Sequence, residues 1–197
     1  AGSLLHFVAL PSVSVAAAAT DSVYGGVHME RTILLSSPYV IDRYRVTSDQ
    51  PHTYDWVAHV EARPSSISID QQLQDKPLGT QAGYQHITAV ERGETADTWH
   101  AVWERSGNRL QLLMLGNEPT QVIRASGYGA GLSPRPLVIA RRQAENTEFL
   151  TVMESFEEQP SVRLVEPLKL TKGADDGIRL LRNVAEDLVV ADELVWS

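Results

Sequence analysis

Apolar and polar residues alternate with a period of two along most of this chain. Trp99-His100-Ala101-Val102-Trp103, Thr53 to Val60 and Phe149 to Met153 each send every second large side chain to one side, the mark of a half-buried strand. Leu4 to Leu10 is another strand-like run, and nothing before about Pro167 sustains a period of 3.6. Turn-forming residues separate the runs at Ser36-Ser37-Pro38, Ser48 to His52, Asp75-Lys76-Pro77, Arg105 to Arg109, Gly127 to Pro136 and Glu157 to Ser161. This spacing predicts a meandering antiparallel sheet, and many strands on short turns predict an all-β fold, an antiparallel β-sandwich. Ala16 to Ala19 is compatible with a helical turn but lies between strand-like runs. The stretch GIRLLRNVAEDLVVADELVW reads as a helix, from the spacing of Leu180, Leu181, Val184 and Leu188, or as two further strands. The β-branched Val189, Val190 and Val195, bounded by charges, favour strands.

Length and composition narrow the class. A chain of 197 residues suits one large β domain, here residues 1–197, and 43% hydrophobic with 21% charged residues is ordinary for a globular protein. No apolar run approaches a membrane span, so no membrane partner is expected. The absence of cysteine excludes disulfides and thiolate chemistry. A net charge of −8 argues against nucleic acid and requires any acidic ligand to find a local basic patch. The opening AGSLLHFVALP has no basic region before its short apolar run, so no targeting signal is read there, and the abrupt start suggests a piece of a longer protein.

Candidate chemistry concentrates between Val23 and Val60. His28, His59, Asp42, Arg31, Arg43 and Arg45 sit on neighbouring strand-like stretches, a set that suits a metal or an anionic sugar. Guanidinium matches carboxylate with two parallel hydrogen bonds, which marks Arg31, Arg43 and Arg45, with Arg141 and Arg142, as candidates for carboxylate recognition. Arg43 and Arg45, two residues apart, share a face; Arg31 joins them if its strand pairs with theirs across the Ser36-Ser37-Pro38 turn. Asp42 alternates with Val40, Tyr44 and Val46, so it points inward and needs an Arg or His partner. His59 ends a strong strand and reads as a core or cleft histidine. Tyr128, in the loop SGYGAGLSPRP, and Trp196 are the aromatics expected to be exposed for sugar stacking, whereas Trp56, Trp99 and Trp103 belong to the core. No serine sits in a nucleophile elbow, and no pair of carboxylates is spaced for glycosidase chemistry.

The phrases YGGVHMERTI, YVIDRYRV, HTYDWVAH, GYQHITAV, VWE with RLQLLMLG, and VIARRQAENTEFLTVME, in this order, resemble the β-sandwich domain of the heparinase II/III-like polysaccharide lyases, a group that includes alginate lyases. The resemblance runs from about His6 to Glu154. It implies β-elimination on a uronic-acid-containing polysaccharide, in a cleft between the β domain and an N-terminal helical toroid. It further implies a periplasmic or secreted location, and zinc as cofactor with His28 as a ligand. The toroid is missing from this chain, as is the His-Asn phrase of the family, so the fragment is expected to be inactive alone. The alternative is a non-catalytic carbohydrate-binding or scaffold module.

Overall fold

Strands form where the alternation predicts them. The computed structural model describes residues 2–62, 64–74, 76–81, 83–129, 133–168, 177–183 and 185–189. Among these, the chain runs through β1 (Ser3–Ala9), β2 (Val13–Thr20), β3 (Val27–Ser36), β4 (Tyr39–His59), β5 (Pro64–Ile67), β6 (Gln72–Leu73), β7 (Thr88–Thr95), β8 (Trp99–Arg105), β9 (Asn108–Met114), β10 (Thr120–Tyr128), β11 (Pro134–Phe156), β12 (Val162–Leu168), β13 (Gly177–Arg182) and β14 (Glu186–Val189). A three-residue 3-10 turn, Tyr84–His86, is the one helical element among the described residues. Ala16 to Ala19 is strand, within β2, and the C-terminal stretch is strand in β13 and β14; Lys172 to Asp176 and Trp196 lie outside the described residues.

Every pairing is antiparallel. The large sheet runs β1-β2-β3-β4-β11-β10-β7-β6, with β9, β8 and β5 attached in turn to the far half of β11, and β12-β13-β14 form a second sheet. The two longest strands, β4 and β11, are the spine. Their register passes from Ala144 opposite His52 to Asn146 opposite Thr47, so residues 48–51 of β4 bulge against Glu145 alone. The turn expected at Ser48 to His52 is therefore an excursion within one strand. Ser48 pins it: its hydroxyl lies 2.7 Å from the Gln50 carbonyl and 2.9 Å from the Glu145 carbonyl, so its one proton serves either acceptor across the bulge. A hydroxyl that serves the backbone locally lets turn-type residues persist inside a ladder.

Where β11 changes partner from β10 to β9, Arg142 is buried to 2% exposure. Its Nε donates to Thr120 Oγ1 at 2.7 Å, and Nη1 donates to the Glu148 carbonyl at 2.7 Å and Thr147 Oγ1 at 3.3 Å. The guanidinium lies over the Phe149 ring at 4.7 Å, and burial pushes its pKa down. This corrects the expectation that Arg142 recognises a ligand: it clamps the strand junction, where a desolvated cation is held by several acceptors.

Among the described residues, three apolar clusters fill the layers. Trp56, Trp99, Trp103, Phe149 and Val122 form the inner one, as expected for those tryptophans. Leu34, Ile41 and Val152 meet Val165, Ile178 and Leu180 of the small sheet in the second, which is sealed by a hydrogen bond from Tyr39 to Asp187 at 2.9 Å. Leu78, Val90, Ile123 and Ile139 make the third. Asp42 is 1% exposed and accepts from Arg31 Nε at 2.8 Å, Arg31 Nη2 at 2.6 Å and Trp56 Nε1 at 3.0 Å, the cationic partner its inward position demanded.

Candidate anion-binding face

Register decides which candidates can act together. In the β3–β4 ladder His28 opposes Thr47, Glu30 opposes Arg45 and Thr32 opposes Arg43, while Arg31 opposes Tyr44. Directly opposed residues share a face and neighbours along a strand do not. His28, Arg43 and Arg45 therefore lie on one face, and Arg31 lies on the other. The strands do pair across the Ser36-Ser37-Pro38 turn, yet the parity of that pairing separates Arg31 from the two arginines it was expected to join.

On the first face, β11 brings Glu148 opposite Arg45. Its Oε2 accepts from Arg43 Nε at 2.8 Å and from Arg45 Nε at 3.3 Å. One carboxylate thus holds two guanidiniums, and Glu30, opposite Arg45 on the same face, balances the second charge, so what the face offers an anion is oriented donors rather than net charge. Both cations are anchored through Nε, and their terminal NH2 groups make no hydrogen bond to a described residue. That arrangement suits a carboxylate or sulfate approaching from solvent, since the side chains are already oriented and little rotamer freedom remains to be lost.

Beside it opens a hollow of about 470 Å³ lined by Asp21, His28, Thr47, Ser48, Asp49 and Asn146. His28 Nδ1 lies 2.5 Å from Asp21 Oδ1, both groups well exposed, which fixes the ring and leaves Nε2 for a ligand or a proton. Zinc needs three protein ligands or more. Among the described residues no three His, Cys, Asp or Glu side chains converge, and Asp42 lies on the opposite face of the sheet, held by Arg31 and Trp56, so the donors present around His28 do not fit the metal that the family resemblance implied.

The remaining candidates are scattered. Tyr128 ends β10 at 54% exposure, in ring contact with His86 at 5.6 Å, and the run of β11 from its partner Pro134 to Glu148 puts it on the order of 40 Å from the arginine pair. His59 is exposed at the end of β4. Arg141 makes a two-pronged ion pair with Asp55 at 2.8 and 2.7 Å, donates to the Leu78 carbonyl at 3.1 Å and stacks on Tyr84, whose hydroxyl donates to the same Asp55. Burial and that hydrogen bond push the Tyr84 pKa up to about 12. This cluster fastens the segment around Tyr84 to the sheet. Neither Glu148 nor Asp55 stood out in the sequence, because each acquires its role from a cross-strand register that local pattern does not specify.

No family model matches the chain, and no curated protein matches it. Solved structures do. The heparan sulfate lyase HepC from Pedobacter heparinus aligns with a TM-score of 0.69 at 12% identity, over 100% of this chain and 28% of that one. The fold is that of one domain of a heparinase III lyase. A mutant of the same HepC gives a TM-score of 0.68 at 12% identity over 97% of this chain, and the heparinase III from the BT4657 gene gives 0.61 at 10% over 98%. The chain spans a little over a quarter of the length of these lyases. At such identities the match to the heparinase III domain speaks for the fold, and the chemistry must be argued from the residues.

Proposed function

We propose that this chain is the β-sandwich portion of a polysaccharide lyase acting on a uronic-acid-containing polysaccharide by β-elimination, and that its share of the work is to hold the polymer's anionic groups. The observation that carries this reading is the extent of the fold match, which takes in 97% or more of this chain but only 27–28% of each lyase. The Arg43–Arg45 pair on Glu148 adds the chemistry. In β-elimination the proton beside a carboxylate is removed and negative charge spreads into that carboxylate, so fixed cations placed there stabilise the transition state. Base and acid must also flank the bond. The hollow beside the arginines offers an oriented imidazole at His28 but no tyrosine among its lining, so the acid belongs to the toroid partner and the chain alone does not turn over. A periplasmic or secreted location follows from a polymeric substrate. The second reading, a non-catalytic carbohydrate-binding module, draws on the same arginines, which need no partner to bind.

Two measurements on the purified chain test this. An acidic oligosaccharide is expected to bind more tightly than its carboxyl-reduced counterpart, and alginate or heparin-type polymer is expected to yield no unsaturated product. Equal binding of the reduced sugar overturns the anion-binding role. Robust release of unsaturated product shows that His28 or a tyrosine of this chain completes the chemistry by itself.

A further inference from the structure

The opposite face of the same strands carries a different arrangement. Rows across the ladder place Tyr44, Arg31, Ala18 and Leu4 side by side, and in the next row Asp42, Ile33, Ala16 and Phe7. At the centre Arg31 is half-exposed; its Nε and Nη2 are spent on the buried Asp42, its guanidinium lies 5.9 Å from the Tyr44 ring centre, and its Nη1 makes no hydrogen bond to a described residue. Phe7 stands 64% exposed two strands away. Strand spacing and rise put the two roughly 12 Å apart, with only the short side chains of Ala16 and Ala18 between them. Residues 2–20 contain no Asp, Glu, Lys or Arg, so the half-exposed Arg31, its charge matched by the buried Asp42, is the exposed charged donor between β1 and β4 on this face.

We infer that Arg31 and Phe7 form a second saccharide subsite, in which the Nη1 edge of Arg31 takes a carboxylate or sulfate and the Phe7 ring stacks on the apolar face of a neighbouring pyranose. The ligand class rests on the function proposed above; the place does not, because this face is turned away from Arg43 and Arg45. Fixing a guanidinium by a buried carboxylate leaves one donor edge in a set direction, which is how a subsite selects an anionic group at a given distance from a stacked ring.

The test is a titration of an alginate tetrasaccharide into isotopically labelled chain, followed by backbone amide shifts, with Phe7→Ala as the companion variant. Phe7 is exposed, so its truncation leaves the fold intact. The expected result is saturable shifts at Phe7, Ala16, Ala18 and Arg31 in addition to those at Arg43, Arg45 and Glu148, with the first set weakened roughly fivefold in affinity by Phe7→Ala. Shifts confined to Arg43, Arg45 and Glu148 overturn the second subsite and leave the proposed function standing. Shifts at β1 to β3 that Phe7→Ala does not weaken also overturn it. Absence of any saturable shift overturns both.

Discussion

Arg31 grips the carboxylate of Asp42 with two hydrogen bonds, at 2.8 and 2.6 Å, yet the two residues are unequal partners, because Asp42 is 1% exposed and the Arg31 side chain 53%. Removing Arg31 strands an anion in the interior with Trp56 as its remaining side-chain donor. Removing the charge of Asp42 frees a guanidinium that can turn to water. Arg31→Gln is expected to cost about 3–5 kcal/mol, and Asp42→Asn about 1–2 kcal/mol. Urea denaturation measures both, and the reverse order contradicts the assignment of the buried member.

Arg142 presents the stronger case of a structural cation. Its guanidinium reaches the Thr120 and Thr147 hydroxyls and the Glu148 carbonyl at the point where β11 changes partner. Arg142→Ala leaves those groups without their donor and opens a cavity under Phe149. A loss of about 3–5 kcal/mol is expected, or on the order of 10 °C in Tm for a chain of this size. A shift of a degree or two in a thermal melt contradicts the clamp.

Close backbone approach gives a third test. A Cβ at Gly116 meets the Asp97 carbonyl carbon at 2.0 Å and the Thr98 nitrogen at 2.2 Å, whereas one at Gly25 meets nothing within 4 Å. Gly116→Ala is expected to destabilise by about 1–3 kcal/mol because backbone must move, and Gly25→Ala to be neutral or slightly stabilising. Equal melting temperatures for the two variants contradict that packing.

The class of the fold was legible because alternation and turn residues are local signals: Trp99, Trp103 and Phe149 occupy the inner core as their spacing predicts. The Ser48 to His52 stretch misled because turn-type residues also build a bulge, and only the facing β11 reveals that the strand resumes. The face of Arg31 misled for a related reason. A one-residue difference in register moves a side chain through the sheet, and register is set between strands distant in sequence. The pairing of Asp42 with a cation was readable from burial logic, whereas Glu148, more than a hundred residues from the arginines it holds, carried no signal of its own.

Alkaline pH is expected to loosen the Tyr84–Asp55–Arg141 cluster. Burial and the hydrogen bond to Asp55 raise the Tyr84 pKa from 10.0 to about 12, so the protonated form is favoured in the fold. Its contribution to stability is whole below pH 10 and fades as pH climbs through about 12. Stability measured across that window falls in the wild type and falls less in Tyr84→Phe. Identical slopes in the two proteins contradict the buried hydrogen bond.

The measurement that bears most directly on the proposed function is the affinity of an oligouronate for the wild-type chain and for the Arg43→Ala, Arg45→Ala double variant, each with its melting temperature. Loss of two charge-assisted contacts is expected to weaken binding a hundredfold or more, on the order of 1.5–3 kcal/mol for each contact, while Glu148, part-exposed, rehydrates with little effect on the fold. Equal affinity in both proteins, with a lowered melting temperature in the variant, contradicts the account and makes the pair a brace between β4 and β11.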